Sequence, residues 1–297
     1  HRTKPVISVQ YLGVWDTVGA LGLPVPQFIE KRINQEYGFH DTKLSTFVRN
    51  ARHAVAADER RKTFSPTLWS NIDELRRAYP DRYDEKIFPG THGAVGGGGP
   101  IVGLSDAALE WIFRGAQAAG LAFDTTAGSP LYRLDPDHRA PLHNVTGKFD
   151  WDWRDGLMGV GLSDREFPNL SADDVHESLI YRFNDDAMEQ SPEGRYRPKS
   201  LEKIFDDLAA RKPEYKADLS KDVFEGKTDA NGALLPPKRI EKYRIAEGDD
   251  LGRIARRFFD GDTDMGEVIF LHNARIQRLH DPERMYVGRV IEIPYYT

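Results

Sequence analysis

The chain has 297 residues, enough for one large domain or two unequal ones. Its composition, 39% hydrophobic and 30% charged with a net charge of -6 at pH 7, is globular and argues against nucleic acid as the main partner. With no cysteine, disulfides, thiolate metal sites and thiol catalysis are excluded. No apolar run approaches the roughly 18 residues of a membrane span, and no signal peptide is evident, so neither a transmembrane segment nor a leader is expected in residues 1–297.

The first predicted element is a strand, Val6 to Trp15, breaking at Asp16-Thr17-Val18-Gly19-Ala20. Pro24 and Pro26 mark a loop, and Ala51–Ala57 is a second apolar stretch ending on Asp58-Glu59-Arg60-Arg61. Ile87-Phe88 ends a third, followed by Pro89-Gly90-Thr91-His92 and the glycines 93 and 96–99. A helix then follows, with Ser105 as N-cap, Leu109, Ile112, Phe113 and Ala116 on one face, and Gly120 as its stop. Residues 121–170 read as irregular, and 171–185 as a helix carrying Val175, Leu179 and Phe183. Residues 213–240 read as a Pro/Gly/Lys-rich linker, after which a compact unit, 241–297, runs strand, two helices, strand.

Open parallel sheets hold their ligands beyond the carboxyl ends of the strands. An Asp and a His placed there, in that order, have the arrangement of the last two members of a hydrolase triad, so Asp16 and His92 are the candidate acid and base. Asp58, one strand later, is the alternative acid. No Gly-x-Ser-x-Gly elbow for the nucleophile occurs. The glycines 96–99 lack the Lys-Ser/Thr of a phosphate loop, and Asp260-Gly261-Asp262-Thr263-Asp264 lacks the Gly and Glu spacing of a calcium loop. Neither metal nor cofactor is expected.

Val14-Trp15-Asp16-Thr17-Val18-Gly19-Ala20-Leu21-Gly22, His53 to Arg61, Phe88 to Gly98, Gly103 to Trp111 and His176-Glu177-Ser178 together resemble the α/β-hydrolase family that includes type VI secretion phospholipase effectors. The resemblance covers roughly residues 5–200. It implies an α/β fold with a parallel sheet over 1–212, lipid acyl ester hydrolysis, and an acid and base falling on Asp16 and His92. The family's elbow precedes the Trp-Asp-Thr motif, so the nucleophile is expected from a segment upstream of residue 1, and residues 1–297 alone are expected to be inactive. The family's Ser-Asp after the histidine is replaced by Gly93-Ala94. A phospholipid substrate, an immunity or secretion-tip protein as partner, and action in the target-cell periplasm or at its membrane go with this resemblance. The alternative is a non-catalytic peptidoglycan-binding or delivery module built on a degraded hydrolase scaffold.

The last 57 residues resemble a βααβ LysM domain, through Gly248-Asp249, Leu251, Ile254-Ala255, Asn273, Gly288 and Ile293-Pro294. That resemblance implies peptidoglycan binding through two loops, Gly248, Asp249, Asp250 and Leu251 on one and Asn273, Ala274, Arg275 and Ile276 on the other.

Overall fold

A computed structural model describes residues 8–18, 42–124, 134–144, 161–186, 188, 194–212, 215–276, 278–279, 282, 285 and 287–296. The Pro24–Pro26 loop and parts of the irregular stretch 121–170 lie outside these residues. The chain divides into two compact units, one of residues 1–122 and 137–212, the other of residues 123–136 and 213–297.

The first unit is built on three parallel strands, β1 (Leu12–Trp15), β2 (Ala51–Ala56) and β3 (Tyr83–Phe88), in that spatial order. Leu12 pairs with Ala51 and Ala51 with Tyr83, so the strands run in step to their carboxyl ends. A sheet covered on both faces needs apolar residues at every position rather than at alternate ones. Alternation sorts them: Ala54, Ala56 and Phe88 point to one face, Val55 and Ile87 to the other. Helix α1 (Ile72–Ala78) precedes β3, and the short helix α2 (His92–Gly96) follows it. Helix α3 (Gly103–Ala118) covers the first face with Ala108 and Ile112. The second face carries α4 (Glu177–Asn184) and α5 (Phe205–Ala210), where Leu179 and Leu208 are fully buried together with Leu201 of the 3-10 turn Lys199–Ile204. Each such side chain stabilises by about 2 kcal/mol.

Helix α3 differs from expectation at its start. Its N-cap is Val102, and Ser105 sits inside the first turn with Oγ donating to the Val102 carbonyl at 2.9 Å. At its end Gly120 takes φ +97, and the Gly120 and Leu121 N–H groups bond the Gln117 and Ala116 carbonyls. Only a left-handed residue closes the helix this way. The expected helix over 171–185 is shorter. Ser171 and Asp174 form a capping box around a 3-10 turn, Val175 then bridges Ile87 in parallel, and α4 begins after His176.

The second unit runs β4 (Arg239–Arg244), α6 (Leu251–Phe258), α7 (Met265–Arg275) and β5 (Val290–Tyr295), with β4 and β5 antiparallel. Ile254, Val268, Ile269, Ile291 and Ile293 form its centre. The segment expected to be a linker belongs to it. Ala217, Phe224 and Leu234 are buried in the same cluster as Ile245, and Phe224 is 2% exposed. Three well-spaced apolar side chains anchor a segment whose average composition is that of a linker.

Candidate active site

Just past β1 stands Asp16, whose N–H continues the ladder to the Ala54 carbonyl at 2.7 Å. There the chain turns with φ +39 at a non-glycine residue, a conformation Asp tolerates better than most. The turn folds the carboxylate back over the sheet end, and Oδ1 accepts the Ala56 N–H at 2.9 Å. β3 ends in a loop whose Gly90 has φ +116. A side chain on it would stand 2.9 Å from the Ala94 Cβ, so glycine is needed to bring His92 onto the first turn of α2.

These two strand ends meet. Asp16 Oδ2 accepts from His92 Nδ1 at 2.7 Å. Because the carboxylate can only accept, Nδ1 carries the hydrogen and Nε2 is the bare, basic nitrogen. Asp16 is fully buried, whereas the His92 side chain is 34% exposed. No described residue hydrogen-bonds His92 Nε2. The Phe64 ring stands edge-on to the imidazole at 5.0 Å, and the Arg61 guanidinium lies 3.7 Å from the Phe64 ring centre.

A third residue completes the cluster, and the sequence did not single it out. Arg165 places Nη1 2.5 Å from Asp16 Oδ1 and Nη2 2.8 Å from Oδ2, a bidentate clamp. Its guanidinium also donates to the Phe64 carbonyl at 2.7 Å and to the Ala56 carbonyl. Burial pushes the Asp16 carboxyl up in pKa. The His92 hydrogen bond and the Arg165 clamp outweigh it and bring the group down to about 2. Asp16 is therefore ionised at any pH at which the protein would work, and it can hold His92 in one tautomer and stabilise its imidazolium form.

Asp58, the alternative acid, is committed elsewhere. Its Oδ2 accepts from the Gly90 N–H at 2.7 Å and the Tyr196 hydroxyl at 2.8 Å, so it fastens the loop that carries His92 rather than the imidazole. Glu59 acts beside it, accepting the His92 backbone N–H at 3.2 Å while gripped by Arg61. Burial raises the Glu59 pKa, and the Arg61 contacts more than reverse this, leaving it lowered.

In the second unit, the residues on the two expected glycan loops are in unlike settings. Asp250 caps α6, accepting the Arg253 N–H at 2.7 Å, and Asp249 accepts from the Tyr243 hydroxyl and the Ala246 N–H. Gly248 and Arg275 are exposed, and Leu251 and Ile276 half-buried. Asn273 and Ala274 are fully buried, which removes both from any glycan surface. The Asn273 amide is spent on the Ile269 and Glu292 carbonyls and the Glu292 N–H, tying α7 to β5. Among the described residues no cluster of His, Asp and Glu could hold a metal ion, and no helix is long and apolar enough to cross a membrane.

Residues 1–115 match the family model described as "T6SS, Phospholipase effector Tle1-like, catalytic domain". No curated protein and no solved structure gives a significant match. The matched segment holds β1 to β3, Asp16 and His92; Arg165 and the second unit lie outside it.

Proposed function

We propose that this chain carries the acid–base half of a serine-type hydrolase that cleaves phospholipid acyl esters, as a secreted antibacterial effector. One observation carries the reading: an ionised, buried Asp16 holds His92 by Nδ1 at 2.7 Å, at the carboxyl ends of parallel strands, within the segment similar to a phospholipase effector catalytic domain. The nucleophile is a serine outside the described residues, supplied by a segment upstream of residue 1. Among the described residues β1 pairs with β2 alone, so its other edge offers backbone groups to a further strand. His92 Nε2 takes the serine proton as the hydroxyl attacks the ester carbonyl. It then returns that proton to the departing glycerol oxygen, and the acyl group passes to water by the same route in reverse. Asp16 keeps the imidazole oriented and balances its positive charge; Arg165 keeps Asp16 in place.

The second unit, with its strand–helix–helix–strand order, is a LysM-like glycan-binding module in this reading. Gly248, Asp249, Asp250, Leu251, Arg275 and Ile276 are its remaining contact candidates. It would hold the enzyme at peptidoglycan in the target periplasm.

The test is hydrolysis of phosphatidylglycerol vesicles by residues 1–297 co-expressed with the upstream segment. Fatty acid should be released, and His92→Ala should cut the rate by about 10³-fold or more. Release that persists undiminished in His92→Ala sinks the reading. The non-catalytic alternative would show itself as peptidoglycan pull-down with no hydrolysis under any of these conditions.

A further inference from the structure

The opposite end of the same sheet holds a second site. At the amino ends of the three strands lies an open cleft of about 590 Å³, within the usual size range of small-molecule sites. Gln10 and Tyr11 enter it from before β1, Arg49 and Arg52 from the start of β2, Arg82 from before β3, and Gly115 from the last turns of α3. Three arginines line it, against the single acidic residue Asp81.

The chain as a whole is acidic, and among the described residues Arg61, Arg76 and Arg165 are each matched with a carboxylate. Among the described residues none of Arg49, Arg52 and Arg82 forms an ion pair. Arg52 is held in place. Its Nη1 donates to the Trp111 carbonyl at 2.6 Å, and its guanidinium lies 4.9 Å from the Trp111 ring centre. Gly115 admits it: a Cβ there would stand 2.6 Å from Arg52 Cδ and 2.7 Å from the Tyr11 hydroxyl. Arg82 rests on the Tyr79 ring at 5.1 Å.

The carboxyl end of α3 supplies about half a negative charge. Its Gly115, Ala116 and Gln117 carbonyls are already used by the Ala119, Leu121 and Gly120 N–H groups, and the carbonyl of the capping residue Ala119 by Gln10 Nε2 at 3.1 Å. That is too little to neutralise three guanidinium groups, whose mutual repulsion a bound anion relieves. A carboxylate satisfies one guanidinium fork, whereas a phosphate presents three oxygens that separate forks can share. We infer that this cleft binds a phosphate-bearing anion, apart from the Asp16–His92 site and independently of its chemistry.

Two sources carry that group, a soluble phosphorylated molecule and a phospholipid headgroup, and one experiment separates them. Inorganic phosphate is titrated calorimetrically into residues 1–297, and the same protein is co-sedimented with phosphatidylcholine vesicles with and without phosphatidylglycerol. Arg49→Gln and Arg82→Gln are exposed substitutions expected to fold as the parent does, checked by circular dichroism. Each should weaken binding by about tenfold, and added salt should weaken it further. Arg239→Gln, in the second unit, should leave it unchanged. Phosphate binding without arginine-dependent sedimentation supports a soluble ligand; sedimentation that needs phosphatidylglycerol, Arg49 and Arg82 supports a headgroup. The inference is overturned if neither probe binds, or if both bind the double variant as they bind the parent.

Discussion

Two histidine–carboxylate pairs stand on the same three strands, and they have different fates. His53 Nδ1 meets Glu85 Oε2 at 2.8 Å, much as His92 Nδ1 meets Asp16 Oδ2 at 2.7 Å. The difference lies in the second ring nitrogen. His53 Nε2 accepts the Thr17 N–H at 3.2 Å, and its side chain is 0% exposed. Glu85 also receives the Trp69 N–H at 3.2 Å. Every polar atom of that ring is satisfied inside the fold, so it holds β2 to β3 and to the turn after β1. His92 lies just past a strand end, its side chain is 34% exposed, and its Nε2 has no hydrogen-bond partner among the described residues. Whether a histidine–carboxylate pair is a fold element or a candidate base thus depends on what its far nitrogen is doing, and the pairing distance does not tell the two apart.

The largest expected effect separates the two carboxylates. Asp16→Asn in the hydrolytically competent polypeptide should lower turnover by about 10³–10⁴-fold, because an amide favours the wrong His92 tautomer. Glu85→Gln should leave turnover per folded molecule within a few-fold. Comparable losses from both would erase the distinction between a sealed pair and an open one.

His53→Ala should reverse the pattern in a stability measurement. It strands a buried Glu85 and removes the acceptor for Thr17, and should cost about 3 kcal/mol in a urea titration. His92→Ala, at a partly exposed position, should cost less than half of that. An equal cost would mean that His92 is a structural histidine too.

Acid should find the open pair through its carboxylate. The folded-state pKa of Asp16, about 2, lies below its ordinary value of 3.8. Its contribution is therefore fully present above pH 4 and is lost as pH falls through 2. At 1.36 kcal/mol per unit this amounts to about 2 kcal/mol. Comparing unfolding free energies of the parent and Asp16→Asn across pH 2–5 isolates it; a flat difference would place the carboxylate outside the Arg165 clamp.

The smallest effect concerns the acid set aside. Asp58→Asn keeps one acceptor oxygen for Gly90 and Tyr196, so it should cost about 1 kcal/mol and change turnover by only a few-fold. A collapse of turnover with unchanged His92 chemical shifts would return Asp58 to the reacting centre.

Asp16 and His92 were legible because each closes an apolar run and stands beside residues that turn the chain. Strand ends announce themselves in this way. Arg165 was not, because it comes from an irregular stretch nearly 150 residues beyond its partner, and neither period nor spacing links them. Phe224 and Leu234 were hidden by the lysines, prolines and glycines around them, which outnumber the few side chains that do the packing. Asn273 was legible as a marked position but not in its role, since a buried amide bridging two backbones and an exposed amide bridging a sugar look alike in sequence.

The backbone at Asp16 reaches into inheritance. A left-handed turn at that point admits glycine, asparagine and aspartate far more readily than other residues. Were the acid–base role lost, position 92 would be open to almost any side chain, whereas position 16 would stay bound by the turn and by the buried Arg165, which only a carboxylate matches. Aspartate at this corner therefore speaks for the turn as much as for catalysis. The residue to follow across descendants, when asking which keep the proposed chemistry, is the histidine.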